Sequence, residues 1–127
     1  MIDLNTALAI HEKSIKFYGG GNGLRDKGAL LAALARPYQT FGQQELYLLP
    51  TEKAAAIFES LIINHPFIDG NKRTAYILLR ATLSIYNLDI VAFEDEKYKM
   101  TIAASSGEIR FEEIKLWIEN HLVSITT

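Results

Sequence analysis

Within nine consecutive residues, His65-Pro66-Phe67-Ile68-Asp69-Gly70-Asn71-Lys72-Arg73, the chain assembles an imidazole, a carboxylate, a Gly-Asn turn and two cations. Each part has a defined use in phosphate chemistry. Gly70 and Asn71 allow a tight backbone turn, in which several N–H groups can converge on an anion. A helix opening near Asn71 adds the positive end of its dipole to the same place. Lys72 and Arg73 add two full charges, the arginine suited to bidentate contact with phosphate and the lysine to point-charge contact. Asp69 stands beside this nest, and a lone carboxylate next to phosphates is a usual anchor for Mg²⁺, which keeps most of its waters. His65 is the residue type best able to take a proton from a hydroxyl near neutral pH. Anion cradle, metal ligand and general base are the parts that phosphoryl or nucleotidyl transfer requires, because that catalysis is mostly positioning and charge neutralisation.

Taken one at a time, the same residues have structural uses. Asp-Gly-Asn is common turn geometry, and a histidine at a helix C-terminus can satisfy the last carbonyls. Two cations in a first helical turn, however, oppose the helix dipole. A bound anion gives them a reason to be there.

The elements that must position this segment can be read from periodicity. Leu4, Ala7, Leu8, His11, Ile15 and Tyr18 recur at helical spacing and predict a first helix from about Asn5 to Phe17, with Asp3 or Asn5 as cap. Gly19-Gly20-Gly21-Asn22-Gly23 ends it. Asp26 caps a short second helix that stops at Arg36-Pro37, since a residue before proline avoids the helical region. Residues 37–50 lack helical period and predict a β-hairpin or flap turning at Gly42-Gln43. Pro50-Thr51 starts the third helix, with Thr51 as cap and Glu52 in the first turn. Its apolar stripe of Ala54, Ile57, Phe58, Leu61 and Ile62 continues to His65. A fourth helix runs from Asn71 to about Tyr86. It is apolar nearly all round, which predicts a place at the centre of the fold. Asn87-Leu88-Asp89 breaks it, and two further helices follow, Asp95 to Ala104 and Phe111 to Leu122. The expected class is all-α: a compact bundle of about six helices around a buried central helix, with a small β-hairpin flap, forming a single domain over 1–127.

Composition narrows the function. A chain of 127 residues that is 49% hydrophobic can fill one core. A formal net charge of -2 argues against duplex nucleic acid as the main partner. The absence of cysteine removes disulfides, thiol catalysis and Cys-based zinc sites. No apolar run, that of Ala75 to Leu79 included, comes near the ~20 residues a membrane helix needs. The first residues do not resemble a signal peptide. A cytoplasmic location without membrane contact is expected.

The segment His65, Phe67, Asp69, Gly70, Asn71, Arg73, Thr74 and Ala75 resembles the signature of the Fic/Doc family, in particular its Doc (death-on-curing) branch. Ala9-Ile10-His11-Glu12, Gly23-Leu24-Arg25-Asp26, Ala32-Ala33-Leu34-Ala35-Arg36-Pro37 and Trp117 extend the likeness over most of the chain. The resemblance implies that His65 is the general base on a target hydroxyl and that Asp69 holds Mg²⁺. Gly70, Asn71, Lys72 and Arg73 would then bind the phosphates of ATP. Phe67 would be buried as the anchor of the loop, and the 37–50 flap would lie along the target peptide as an added strand. AMP-transferring members carry a second glycine where this chain has Lys72. Doc-like members carry the lysine, which implies that ATP binds reversed and presents its γ-phosphate. The implied reaction is phosphorylation of a protein hydroxyl, with a threonine of elongation factor Tu as the family target and a block of translation as the outcome. Self-inhibited members carry Ser or Thr, three residues, then Glu. Here Thr51 is followed at that distance by Ala55 and Ser60 by Asn64, so the resemblance implies a separate Phd-type antitoxin whose disordered C-terminus folds onto the chain.

Gly70, where the founding Doc protein has alanine, favours an AMP transferase as the alternative. A partner-binding module without catalysis is the other. The run Gly19–Gly23 lacks the strand before it and the Gly-Lys-Ser/Thr after it that a phosphate-binding loop needs, and reads as a turn. His11 and His121 read as satisfied core histidines, and the three histidines lack zinc-ligand spacing. Glu94-Asp95-Glu96 reads as a helix start, with Lys97 and Lys99 solvated.

Overall fold

A computed structural model describes residues 1–125. Six α-helices make up most of it, as the periodicity predicts. Helix α1 (Leu4–Tyr18) is capped by Asp3, whose carboxylate accepts from the Thr6 amide at 2.8 Å. It ends where Gly19 takes a φ of 88° and donates to Ile15 O at 2.7 Å. Helix α2 (Lys27–Ala35) is capped by Asp26, which accepts from the Ala29 amide at 3.0 Å. Pro37 then allows only a single 3₁₀ turn, Arg36–Tyr38.

The flap is shorter than 37–50. Strands β1 (Thr40–Phe41) and β2 (Gln44–Glu45) pair antiparallel around Gly42 and Gln43, both at positive φ (58° and 70°). Its tip is free, with Phe41 84% exposed. Its base is tied down. The buried ammonium of Lys53 meets the Glu45 carboxylate at 3.0 Å and donates to Tyr47 O. Arg36 donates to the Tyr47 hydroxyl at 3.2 Å. The Tyr47 ring lies 5.2 Å from that of Phe111.

Helix α3 (Pro50–Asn64), rather than the helix after it, is the enclosed centre, with Thr51 and every residue from Lys53 to Ile62 buried. The small side chains Ala54, Ala55 and Ala56 let α2 and its neighbours approach closely. Its charges hid this in the sequence. Lys53 is neutralised by Glu45, and Glu59 is gripped by Arg36 at 2.9 Å and Arg110 at 3.2 Å, so both are buried in pairs. Thr51 is not the cap. Leu49 holds that position, its amide bonded to Glu52 Oε1 at 2.9 Å, and Thr51 is buried in the first turn.

Helix α4 (Asn71–Ser84) buries Thr74, Ala75, Leu78, Leu79, Thr82 and Leu83 but leaves Arg80 and Ser84 exposed. It therefore packs one face against α3 and is not surrounded. Beyond it lies a second small sheet that periodicity does not predict. Strand β3 (Leu88–Ile90) pairs antiparallel with β4 (Leu122–Ser124), and Arg80 makes two 2.8 Å bonds to the Asp89 carboxylate. Helices α5 (Glu94–Ser105) and α6 (Phe111–Asn120) complete the bundle, α6 packing Ile114 and Ile118 into the core. No helix among the described residues is long and apolar enough to cross a membrane.

Candidate active site

The helical stripe of α3 does not reach His65. The helix stops at Asn64, and His65 turns into the left-handed region (φ 46°, ψ 62°), its amide bonded to Leu61 O at 3.2 Å. The imidazole thereby leaves the buried face and is exposed. Arg25 holds this turn in place. Its guanidinium donates to Asn64 O at 2.6 Å and, through Nε, to His65 O at 2.8 Å. A cation on the last carbonyls of a helix also complements the dipole.

The chain then runs extended against residues 23–26. The Arg25 and Asp26 amides donate to Pro66 O at 2.8 and 2.9 Å, Ile68 N donates to Gly23 O at 3.1 Å, and Leu24 bridges Phe67. Phe67 is 1% exposed, as the resemblance implied. Asn71 closes the loop with its side chain, Oδ1 accepting from Phe67 N and Nδ2 donating to Phe67 O, both at 2.9 Å. What Asn71 offers to a ligand is therefore its backbone N–H. His11, buried in α1, stacks flat on the Phe67 ring (centroids 3.8 Å, planes 5° apart). Its Nε2 lies 2.7 Å from Asp69 O and must carry the proton, because a carbonyl only accepts.

Asp69 is exposed and ionised. The Gly21 amide at 3.1 Å and the Gly70 amide at 2.8 Å hold its carboxyl below the usual carboxylate range, with Arg73 and His11 adding to the effect. The glycine run makes this approach feasible. A Cβ on Gly20 would stand 2.8 Å from Asp69 Oδ2, and one on Gly23 would stand 2.7 Å from Ile68 Cδ1.

Past Gly70 (φ 75°) the chain enters α4, and Thr74 N is the first amide to bond back, to Gly70 O at 3.0 Å. The amides of Asn71, Lys72 and Arg73 have no acceptor among the described residues. They open on a cavity of about 260 Å³ lined by His65 and by residues 68–73. Lys72 lines this cavity and is exposed. The Arg73 guanidinium sits 4.6 Å above the Tyr18 ring, which fixes its direction. All six residues singled out by chemistry, His65, Asp69, Gly70, Asn71, Lys72 and Arg73, line this one cavity.

The donor set suits Mg²⁺. Each Asp69 oxygen accepts one amide bond and keeps a lone pair. Among the described residues no group of three or more His, Cys, Asp or Glu could hold a metal ion. A cation here would take one protein ligand and complete its shell with water and phosphate oxygens, the habit of Mg²⁺. The free amides and two cations suit a polyphosphate.

Sequence reasoning missed the supports. His11 is a satisfied buried histidine, as expected, but its partner is the active-site loop. The Gly19–Gly23 run is a turn, as expected, but its Gly21 amide holds the Asp69 carboxylate. Arg25 was seen only as part of the resemblance. Periodicity places such residues on a face without naming what the face touches.

Comparison with known proteins gives the chain a family. Residues 1–83 match the Fic/DOC family. A protein named Toxin Doc from Mycolicibacterium smegmatis is 41% identical over 75 residues, 59% of this chain and 58% of that protein. Protein kinase doc of Escherichia phage P1 is 31% identical over 108 residues, 84% of this chain and 83% of that one. On the match of residues 1–83, which include the whole loop from His65 to Arg73, the chain belongs to the Fic/Doc family.

Proposed function

We propose that this chain is a cytoplasmic toxin of the Doc type, which transfers the γ-phosphate of ATP, with Mg²⁺, to a protein hydroxyl. A threonine of elongation factor Tu is the target the family resemblance suggests, and arrested translation is the consequence. The observation that carries this reading is the convergence on one cavity of the His65 imidazole, the unbonded amides of Asn71, Lys72 and Arg73, and the Asp69 carboxylate. The phage relative, matched over 83% of its length, bears the name of a protein kinase.

His65 accepts the proton of the target hydroxyl as its oxygen bonds to the terminal phosphorus, and the bridging oxygen leaves with ADP. Arg25 keeps the imidazole outside the core through its grip on the His65 carbonyl. The three amides, with Lys72 and Arg73, neutralise the charge that builds on the transferred group and its leaving oxygen. Asp69 would hold the metal, and the Gly21 and Gly70 amides keep that carboxylate ionised and aimed. A Mg²⁺ ion held there would supply charge neutralisation to the phosphates. The flap offers a short exposed edge to the target peptide. With no internal Ser/Thr-x-x-x-Glu segment at Thr51 or Ser60, restraint falls to a separate antitoxin of the Phd type.

Gly70, where the founding Doc protein has alanine, supports a second reading, AMP transfer, although Lys72 stands where AMP-transferring members carry their second glycine. Incubation with a cell extract and ATP labelled at the α or the γ position separates the two. Label retained on a protein from γ only is the expected result. Retention of α label would overturn phosphate transfer in favour of AMP transfer.

A further inference from the structure

The flap would be a poor guide for a peptide if it stood alone. Each of its strands has two residues, and an isolated hairpin is marginal in water. What steadies it lies outside the hairpin. Glu45 and Tyr47 turn inward to two cations, while Leu46 and Leu48 between and beyond them are exposed. Lys53, near the start of α3, is only 3% exposed. Its ammonium pairs with Glu45 Oε1 at 3.0 Å, donates to Tyr47 O and lies 5.7 Å from the centre of the Tyr38 ring. Arg36 donates through Nε to the Tyr47 hydroxyl at 3.2 Å, and through Nη1 to Glu59 Oε1 at 2.9 Å, Ser60 Oγ at 3.1 Å and Ala56 O at 3.2 Å.

These contacts make the flap hard to move. Swinging it away would strand the Lys53 ammonium in the core without its carboxylate, and a buried charge left unpaired is strongly unfavourable. The anchor points Lys53, Ala56, Glu59 and Ser60 all lie on α3, and His65 follows directly on the end of that helix. A helix rises about 1.5 Å per residue, so Ser60 stands roughly 6 Å along the axis from the last helical residue, Asn64. Flap and imidazole are thus both fixed to a single rigid element, the flap along its length and the imidazole at its end.

We infer that Lys53 and Arg36 are positioning residues: by locking the flap to α3 they hold an extended protein segment at a fixed offset from His65. This rests on the transfer reading proposed above and deepens it. Neither side chain touches the target. Each acts through the flap, which arrives already ordered and so need not be ordered when the segment binds.

Two variants of the full chain test it. Lys53→Met combined with Glu45→Gln removes the ion pair without leaving an unpaired charge in the core. Tyr47→Phe removes only the hydroxyl that Arg36 grips, and keeps the Arg36–Glu59 pair and the ring beside Phe111. Circular dichroism checks that both fold. Amide hydrogen exchange reads the clamp: Leu46 N, bonded to Gln39 O at 2.9 Å, should exchange faster in both. Transfer from γ-labelled ATP to the proteins of a cell extract, followed over a range of extract concentrations, reads the positioning. The extract concentration that gives half-maximal rate should rise about fivefold or more in the combined variant and less in Tyr47→Phe. The maximal rate and the Kd of tripolyphosphate should stay within about twofold, since only binding of the target is weakened. Unchanged exchange at Leu46 overturns the inference. So does faster exchange with an unchanged half-maximal concentration, which leaves the clamp a purely structural role, and so does weakened tripolyphosphate binding. If the intact chain labels no protein at all, the transfer reading itself fails and this inference falls with it.

Discussion

His11 should be the residue whose loss most disturbs the active-site loop without touching a ligand. Its ring is buried, lies 3.8 Å from Phe67 in a flat stack, and donates to Asp69 O at 2.7 Å. His11→Ala removes the stack, about 0.5–1.5 kcal/mol beyond area burial. It also strands the Asp69 carbonyl in a partly buried position, about 1–3 kcal/mol. Together these predict a loss of roughly 2–4 kcal/mol. His11→Gln keeps an N–H near the place of Nε2 and loses only the stack, so it should cost about 1 kcal/mol. Urea unfolding with linear extrapolation measures both, provided the slope is unchanged. The loss should extend to function, because the carbonyl that His11 holds belongs to Asp69, the residue proposed to take Mg²⁺. The Kd for Mg²⁺ with an ATP analogue should therefore rise in His11→Ala at a temperature where the variant is folded. A His11→Ala variant within about 0.5 kcal/mol of the intact chain would refute the latch. Equal costs for Gln and Ala would show that the hydrogen bond contributes nothing.

Gly23→Ala should cost about 1–3 kcal/mol, because Gly23 sits at φ +132° and a Cβ would stand 2.7 Å from Ile68 Cδ1; an unchanged melting temperature would contradict this. His65→Ala should leave stability within about ±0.5 kcal/mol, since the side chain is exposed. The same variant should cut γ-label transfer roughly 10²–10⁴-fold, and full transfer would remove the imidazole from the chemistry. His121 bonds Trp117 O at 2.7 Å and Glu96 Oε2 at 3.0 Å, the first and then the second raising its pKa above 6.5. A histidine so raised contributes stability that is complete below its unfolded value, near 6.5, and is lost as pH climbs through the folded one. The melting temperature of the intact chain should therefore fall over that range by more than that of His121→Gln. Parallel pH profiles would count against the pairing.

Most of the helical frame was legible because its stops are chemical. Asp3 and Asp26 cap, Gly19 takes a positive φ and Pro37 forbids continuation, each by a local rule that needs no neighbour. Rules that depend on neighbours failed. Helix α3 carries Lys53 and Glu59 in its buried run, and a charged residue reads as solvent-facing until its partner is known. Those partners, Glu45, Arg36 and Arg110, lie on the flap, after α2 and before α6. Helix α4, with its apolar run from Ala75 to Leu79, looked more central and is not. Strands β3 and β4 have three residues each and lie in separate parts of the chain, too short for an alternation to register.

The candidate active site divides along the same line. Its reactive groups are contiguous from His65 to Arg73, so types and spacing alone brought them together. The left-handed turn at His65 was not legible, and it decides whether the imidazole is usable. Had α3 continued for one more residue, His65 would have stayed on the face of Leu61 and met the core. A left-handed conformation at a non-glycine residue costs on the order of 1–2 kcal/mol. Bonds from a guanidinium are worth roughly 1.5–3 kcal/mol each when buried and less when exposed. Arg25 makes such bonds to both Asn64 O and His65 O, so even discounted for solvent they offset the strain. The imidazole's exposure therefore depends on a residue forty positions earlier, in a segment whose own amides pair with Pro66 O. Arg25→Ala should relax that turn, and Arg25→Lys, with its single ammonium, should hold only one carbonyl at a time. Label transfer should fall in the order intact chain, Lys, Ala, while the Kd for tripolyphosphate stays constant, because the cradle begins beyond Gly70. A fall in tripolyphosphate affinity that tracks the fall in transfer would mean that Arg25 supports the whole loop rather than the orientation of His65.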